Sequence, residues 1–195
     1  MRNHALLCLQ RCLVVDGISV SSSAWLMSFD IIFQLLDELL EIAQNYSQKD
    51  FRNMEVSLLH AMKLLCKVFL QSLKDLSAQS SFGKLWLEVL DMIEKFMCVK
   101  LRGRRTEKLH EAIPELLKNI LLVMKANGIL SNTGASGENT LWEATWLQIS
   151  KVVPSLQSEV FPHNESDATT KGEQSSPTLE GQAAEQQAMI QPAAA

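Results

Sequence analysis

Residues 51–73 read FRNMEVSLLHAMKLLCKVFLQSL, and within them Phe51, Met54, Leu58, Met62, Leu65, Phe69 and Leu73 recur at steps of three and four. That is the repeat of one face of an α-helix. His60, Lys63, Lys67 and Lys74 follow a separate, polar line. Val56, Leu59, Leu64 and Val68 widen the apolar surface beyond a single stripe, so this helix must be packed on more than one side. Just upstream, Ser47 and Asp50 stand at the spacing of a capping pair for the free amides of its first turn.

The same logic works outward in both directions. An N-terminal helix from about Arg2 to Val14 is closed by Gly17, and a second runs from Ser23 or Ser28 through FDIIFQLLDELLEIA to Gln44. Beyond the central helix, Ser80 and Ser81 precede KLWLEVLDMIEKFM. The next helix begins near Thr106, with Leu109, Ile113, Leu116, Leu117, Ile120, Leu121 and Met124 on its apolar face and Gly128 as a left-handed stop. Pro114 inside it removes a backbone donor and predicts a kink or a restart. The last helix, TLWEATWLQISKVV, opens with Thr140 and Glu143 at capping-box spacing and ends before Pro154.

No alternating run bounded by hairpin signals occurs, so strand content is expected near zero and the fold class all-α. Long helices, apolar on two sides and joined by short polar loops, favour an antiparallel helical stack over a four-helix bundle with one seam. The helix starts follow no strict period, which makes the stack at most a degenerate armadillo/HEAT-like array. From Pro162 the composition turns to Ser, Thr, Gly, Gln, Glu, Ala and Pro. The expectation is a helical-repeat-like domain over residues 1–161 and a disordered tail over 162–195.

Charge divides along the same boundary. Residues 1–161 hold 17 Lys+Arg and 17 Asp+Glu, while the tail sets Lys171 against five acids, so the net charge of -4 belongs to the tail. A neutral body excludes broad electrostatic binding of nucleic acid. Cys8, Cys12, Cys66 and Cys98 show no CxxC spacing and read as buried thiols in a reducing compartment. No signal peptide is visible, and charges interrupt every long helix. The expected place is the cytosol, or the cytosolic face of a membrane.

Catalytic groups do not converge. His4, His60, His110 and His163 are far apart, and HExxH, GxSxG and phosphate-loop patterns are missing; GASGE at 134–138 lacks the Lys-Ser/Thr ending. Asp37, Glu38 and Glu41 share a helix, but with no further ligand nearby they read as a solvated face. Trp142 and Trp146, one turn apart, read as anchors of the last helix. No catalytic residue, metal ligand or cofactor is expected. One cluster stands out: Lys100, Arg102, Arg104, Arg105 and Lys108 surround Gly103 just before a helix start, where Thr106 is the candidate cap. Free amides and side-chain cations together suit an anion such as a phosphate or an anionic membrane surface; the plainer reading is a solvated loop between helices.

LLDELLEIAQNYSQKDFRNMEVSLLHAMKLLCKVFLQSL, KLWLEVLDMIEKFM, EAIPELLKNILLVMKANGIL and LWEATWLQISKVVPSLQSEVFP, with the opening RNHALLCLQRCL, together carry a resemblance. Most of residues 1–161 resembles the C-terminal region of the GNOM-type large ARF guanine-nucleotide exchange factors of plants. The resemblance implies a place among proteins that load ARF GTPases with GTP in vesicle-mediated transport, Golgi traffic and endosomal recycling. The exchange domain of that family has no counterpart in these residues, so the resemblance implies a non-catalytic regulatory or scaffold region. Its partners would be proteins or neighbouring helical repeats of a larger exchange factor, with the ARF GTPase engaged only indirectly. Peripheral placement on Golgi, endosomal or plasma membrane follows as an expectation, as does a fragment or shortened relative of a longer factor. The alternative expectation is a self-standing peripheral membrane-binding module that uses the basic loop 100–108.

Overall fold

The computed structural model describes residues 1–15, 20–45, 51–101, 104–131 and 140–162. In chain order they form α1 (Arg2–Leu13), α2 (Ser22–Gln44), α3 (Phe51–Leu76), α4 (Phe82–Cys98), the two-residue strands β1 (Lys100–Leu101) and β2 (Arg104–Arg105), α5 (Glu107–Ala126), α6 (Thr140–Val152) and the short α7 (Leu156–Val160). The Gly17 stop, the Ser47/Asp50 pair, GASGE and the tail beyond Pro162 lie outside the described residues.

α3 is the axis on which the other helices are hung. It packs against α1, α2, α4 and α5, and Met54, Leu58, Met62, Leu64, Leu65, Val68 and Phe69 are all fully buried. By length and composition alone, Arg52–Leu76 would cross a bilayer, a property that the expectation of interrupted helices passed over. Burial among four helices accounts for that apolarity without a membrane. Two serine hydroxyls that α3 buries have partners. Ser72 donates to the carbonyl of Val68 at 2.9 Å, and Ser57 donates to Asn3 Oδ1 at 2.6 Å, tying α1 to α3.

Pairs between helices give their directions. The Trp25 indole N–H donates to Asp75 Oδ2 at 3.3 Å, so the start of α2 meets the end of α3. Phe82 and Trp86 at the start of α4 stack on Phe69 toward the end of α3, with centroids 6.1 and 5.2 Å away. The Lys108 amide at the start of α5 reaches Glu55 at the start of α3. Trp86 bonds Thr145, and Glu94 pairs with Lys151, so α6 runs alongside α4 in the same sense. From α2 to α6 the helices therefore alternate in direction, giving the antiparallel stack read from the sequence.

Helix ends follow local chemistry. Ser21 Oγ accepts from the Ala24 amide at 3.3 Å and caps α2. At the end of α5, Gly128 takes φ +69°, its amide reaches the Lys125 carbonyl at 3.0 Å, and the Ile129 amide reaches Met124 at 2.9 Å. This paired closure needs the left-handed residue that glycine supplies without a Cβ penalty. Pro114 does not restart the helix: α5 runs unbroken from Glu107 to Ala126. The buried side chains of Ile113 and Leu117 on either side hold that turn against α3.

The cysteine expectation is corrected. Only Cys66 is buried; Cys8, Cys12 and Cys98 are exposed, because the faces of α1 and α4 that carry them point away from the core. Burial pushes the Cys66 thiol up from 9.0 to about 12. Its folded pKa is raised, so the stability it confers is complete below pH 9 and is lost as pH rises toward 12, by about 1.4 kcal/mol per unit. Titration with an aromatic disulfide reagent at pH 8 is expected to modify three thiols at once and the fourth only after denaturant is added. Four fast thiols would place Cys66 in contact with solvent.

Candidate functional site

The basic run is not an open loop. Lys100 pairs with Arg105 and Leu101 with Arg104 in an antiparallel two-rung ladder, so the chain turns back on itself between α4 and α5. Leu101 is buried and pins the ladder to the core. Lys100 and Lys108 are exposed. Arg102 lies outside the described residues, and Arg104 and Arg105 are described in their backbone alone.

The start of α5 holds an unexpected arrangement. Thr106 is the N-cap residue, yet its hydroxyl makes no capping bond and, fully buried, has no hydrogen-bond partner among the described residues. The amide it would ordinarily accept from, that of Lys108, donates instead to Glu55 Oε1 at 3.0 Å. Glu55 is only 5% exposed and arrives from α3. A carboxylate from the protein thus occupies the helix terminus where the sequence reading set an external anion. The Lys108 amide is therefore already taken by a group of the protein itself.

Two clefts flank this region and share Cys98 and Lys100 as the ridge between them. One, of 660 Å³, is lined by Asp37 and Glu41 opposite Lys95 and Lys100. The other, of 430 Å³, has Glu94 opposite Lys100, His110 and Lys151. Lys95 bonds Asp37 and Asp91, each at 3.2 Å; desolvation pulls its pKa down, and the two carboxylates more than reverse that. Lys95 thus answers Asp37 and Asp91 at an exposed rim, and in the second cleft Lys151 lies 3.7 Å from Glu94. Among the described residues no three His, Cys, Asp or Glu side chains come together to hold a metal. Asp37, Glu38 and Glu41 are all exposed, as the solvated-face reading has it.

The far end of the stack is closed by aromatic rings. Trp142 and Trp146 on α6 stand 5.4 Å apart edge to face, and Phe161 meets them at 4.8 and 5.9 Å. Lys125 Nζ lies 4.6 Å above the Phe161 ring and donates to the Val160 carbonyl at 2.8 Å. Lys118 pairs with Glu159 at 2.8 Å, and the hydrogen bond from that ammonium holds the Glu159 carboxyl below its usual range. The tryptophans are anchors, as their spacing suggests. α7, which supplies the other half of the closure, follows Pro154 and has too short an apolar pattern to be read from sequence.

An alternating stack of amphipathic helices defines a helical-repeat module. Residues 1–156 match the family described as GBF1-like, tetratrico peptide repeat region, and the chain belongs to that family. The repeat type is thus tetratricopeptide, a helix-pair stack of the same architectural kind as the armadillo/HEAT arrays. The chain is 56% identical over 168 residues to the ARF guanine-nucleotide exchange factor GNOM of Arabidopsis thaliana, covering 85% of this chain and 12% of that protein. It is 47% identical over 170 residues to GNL1 of the same plant, covering 86% and 12%. Similarity reaches animals: a Golgi-specific brefeldin A-resistance guanine nucleotide exchange factor 1 homolog of Caenorhabditis elegans is 33% identical over 182 residues, covering 92% of this chain and 9% of that protein. No solved structure matches significantly. The chain spans about an eighth of the length of the Arabidopsis relatives or less. Identity over such a segment fixes the family, not the end of the long relative at which the segment lies.

Proposed function

We propose that this chain is a non-catalytic helical module of an ARF guanine-nucleotide exchange factor, acting as a scaffold or regulatory region in vesicle-mediated transport. The observation that carries this is 56% identity to a protein named as such a factor, confined to 12% of its length. Residues 1–161 form the module in this reading and 162–195 a tether. Its contacts are with other proteins or other helical segments of the factor, and the ARF GTPase is reached through them. Association with membranes of the Golgi or endosomes is then indirect, through the rest of the assembly. The Glu55 cap counts against a self-standing membrane module built on Lys100, Arg102, Arg104, Arg105 and Lys108.

Two arms of one experiment test the reading. Added to ARF loaded with fluorescent GDP, the purified chain is expected to leave nucleotide release at its intrinsic rate. Substituted for the matching segment of the Arabidopsis relative, residues 1–161 are expected to preserve that protein's exchange activity and location. Accelerated release by the chain alone, or a chimera that folds but is lost from its membranes, would overturn the proposal.

A further inference from the structure

α1 and α2 both lean on α3, and between them they leave an apolar groove of 260 Å³. Leu6 and Leu39 form its floor at 7% and 6% exposure, and Leu9, Leu35 and Ile42 line its walls. The walls run over residues 2–9 of α1 and 35–42 of α2, two turns each or about 11 Å. Along α2 the apolar line continues beyond the groove, because Ile31 and Met27 follow Leu35 at four-residue steps and are 65% and 66% exposed. Ile42, at 47%, marks the other end. Large aliphatic side chains aligned over four turns are an unusual outward face for a helix whose opposite side is already buried.

The charge beside this line is one-sided. α2 contains Asp30, Asp37, Glu38 and Glu41 and no lysine or arginine. Asp37 is matched by Lys95 of α4. Asp30 and Glu41 are exposed, and among the described residues Glu38, within the groove, accepts from the neutral amide of Gln34 at 3.1 Å. On the α1 wall the groove has Arg2. A second copy of the chain would bring two acidic edges together, and an anionic lipid surface would meet the same repulsion.

We infer that the α1/α2 groove is a docking site for a cationic amphipathic helix of a protein partner. Apolar residues at i, i+3 or i+4, and i+7 of that helix would fill the groove and the Ile31–Met27 line, and lysines or arginines beside them would face Asp30, Glu38 and Glu41. The inference rests on the reading of the chain as an interaction module, which the exchange and chimera arms test separately.

Fluorescent synthetic peptides of about 15 residues, with leucines at those positions and either lysine or glutamate elsewhere, test it against the full chain. The lysine peptide is expected to bind at least about ten-fold more tightly than the glutamate peptide, and to shift the amide resonances of α1 and α2. The double variant Ile31→Glu/Ile42→Glu, altered at exposed positions, is expected to keep its helical circular dichroism and lose that binding. Equal affinity for both peptides, binding that survives the double variant, resonance shifts confined to α4–α6, or no binding would each overturn the inference. So would a dimer, or retention on phosphatidylserine vesicles, abolished by the same double variant, since the groove would then serve a second copy or a membrane.

Discussion

Replacing Trp86 by alanine is expected to lower the free energy of unfolding by about 4 kcal/mol, the range for emptying an aromatic site in a packed core. Trp86 is fully buried on α4, and its ring stacks on Phe69 of α3 at 5.2 Å. Its indole N–H donates to Thr145 Oγ1 of α6 at 2.8 Å. One side chain therefore joins three helices, and Phe69 extends the contact to Phe29 of α2 at 6.3 Å. Trp86→Phe keeps most of the packing and leaves the buried Thr145 hydroxyl without its indole partner, for a loss of about 2 kcal/mol. Thr145→Val strands the indole N–H instead. The pair Trp86→Phe/Thr145→Val is expected to cost less than the two single changes together, because neither buried group is then left without its partner. Denaturant titration followed by circular dichroism measures all four proteins, and strict additivity would mean that the 2.8 Å bond contributes nothing to the junction.

That junction was half legible in the sequence. The apolar periodicity of α3 places Phe69 in the core, whereas KLWLEVLDMIEKFM reads as a helix without a face being assigned to Trp86. The partner of the indole was not legible: Thr145 is an ordinary residue in TLWEATWLQISKVV, and only the alignment of α6 alongside α4 brings it to Trp86. Gly128 and Pro154 were read correctly because each acts through its own backbone. The restart allowed for at Pro114 does not occur, because a lost local hydrogen bond is offset by tertiary packing that the sequence does not show. The exposed cysteines show the same limit, since hydrophobic character alone does not say which side of a helix faces its neighbour.

The basic run is where composition said most and geometry changed the meaning. Five cations in nine positions are plain in the sequence, whereas the carboxylate that takes the Lys108 amide at the helix start behind them sits some fifty residues earlier. Glu55 stands three and four residues before Leu58 and Leu59 and seven before Met62, on ground that the helix otherwise gives to apolar side chains. A carboxylate at such a position signals a buried partner, and the partner is the α5 terminus.

From that arrangement, Glu55→Lys is expected to destabilise the protein by about 3 kcal/mol, because it exchanges a capping carboxylate for a buried cation facing a helix N-terminus. Glu55→Gln keeps an acceptor for the Lys108 amide and loses only the charge assistance, about 1 kcal/mol. Thr106 makes the argument sharper. In the native protein its buried hydroxyl has no partner among the described residues, so Thr106→Val is expected to be neutral or slightly stabilising. In a Glu55→Ala background the hydroxyl can turn to the vacated amide and resume the ordinary capping role, holding the loss to about 1 kcal/mol. Removing both then leaves the amide bare, and Thr106→Val should cost about a further 1 kcal/mol there while costing nothing alone. A sign that changes with the state of Glu55 is what a displaced cap requires. If Thr106→Val has the same effect in both backgrounds, the threonine is not held in reserve, and the Glu55 carboxylate does not stand in for it.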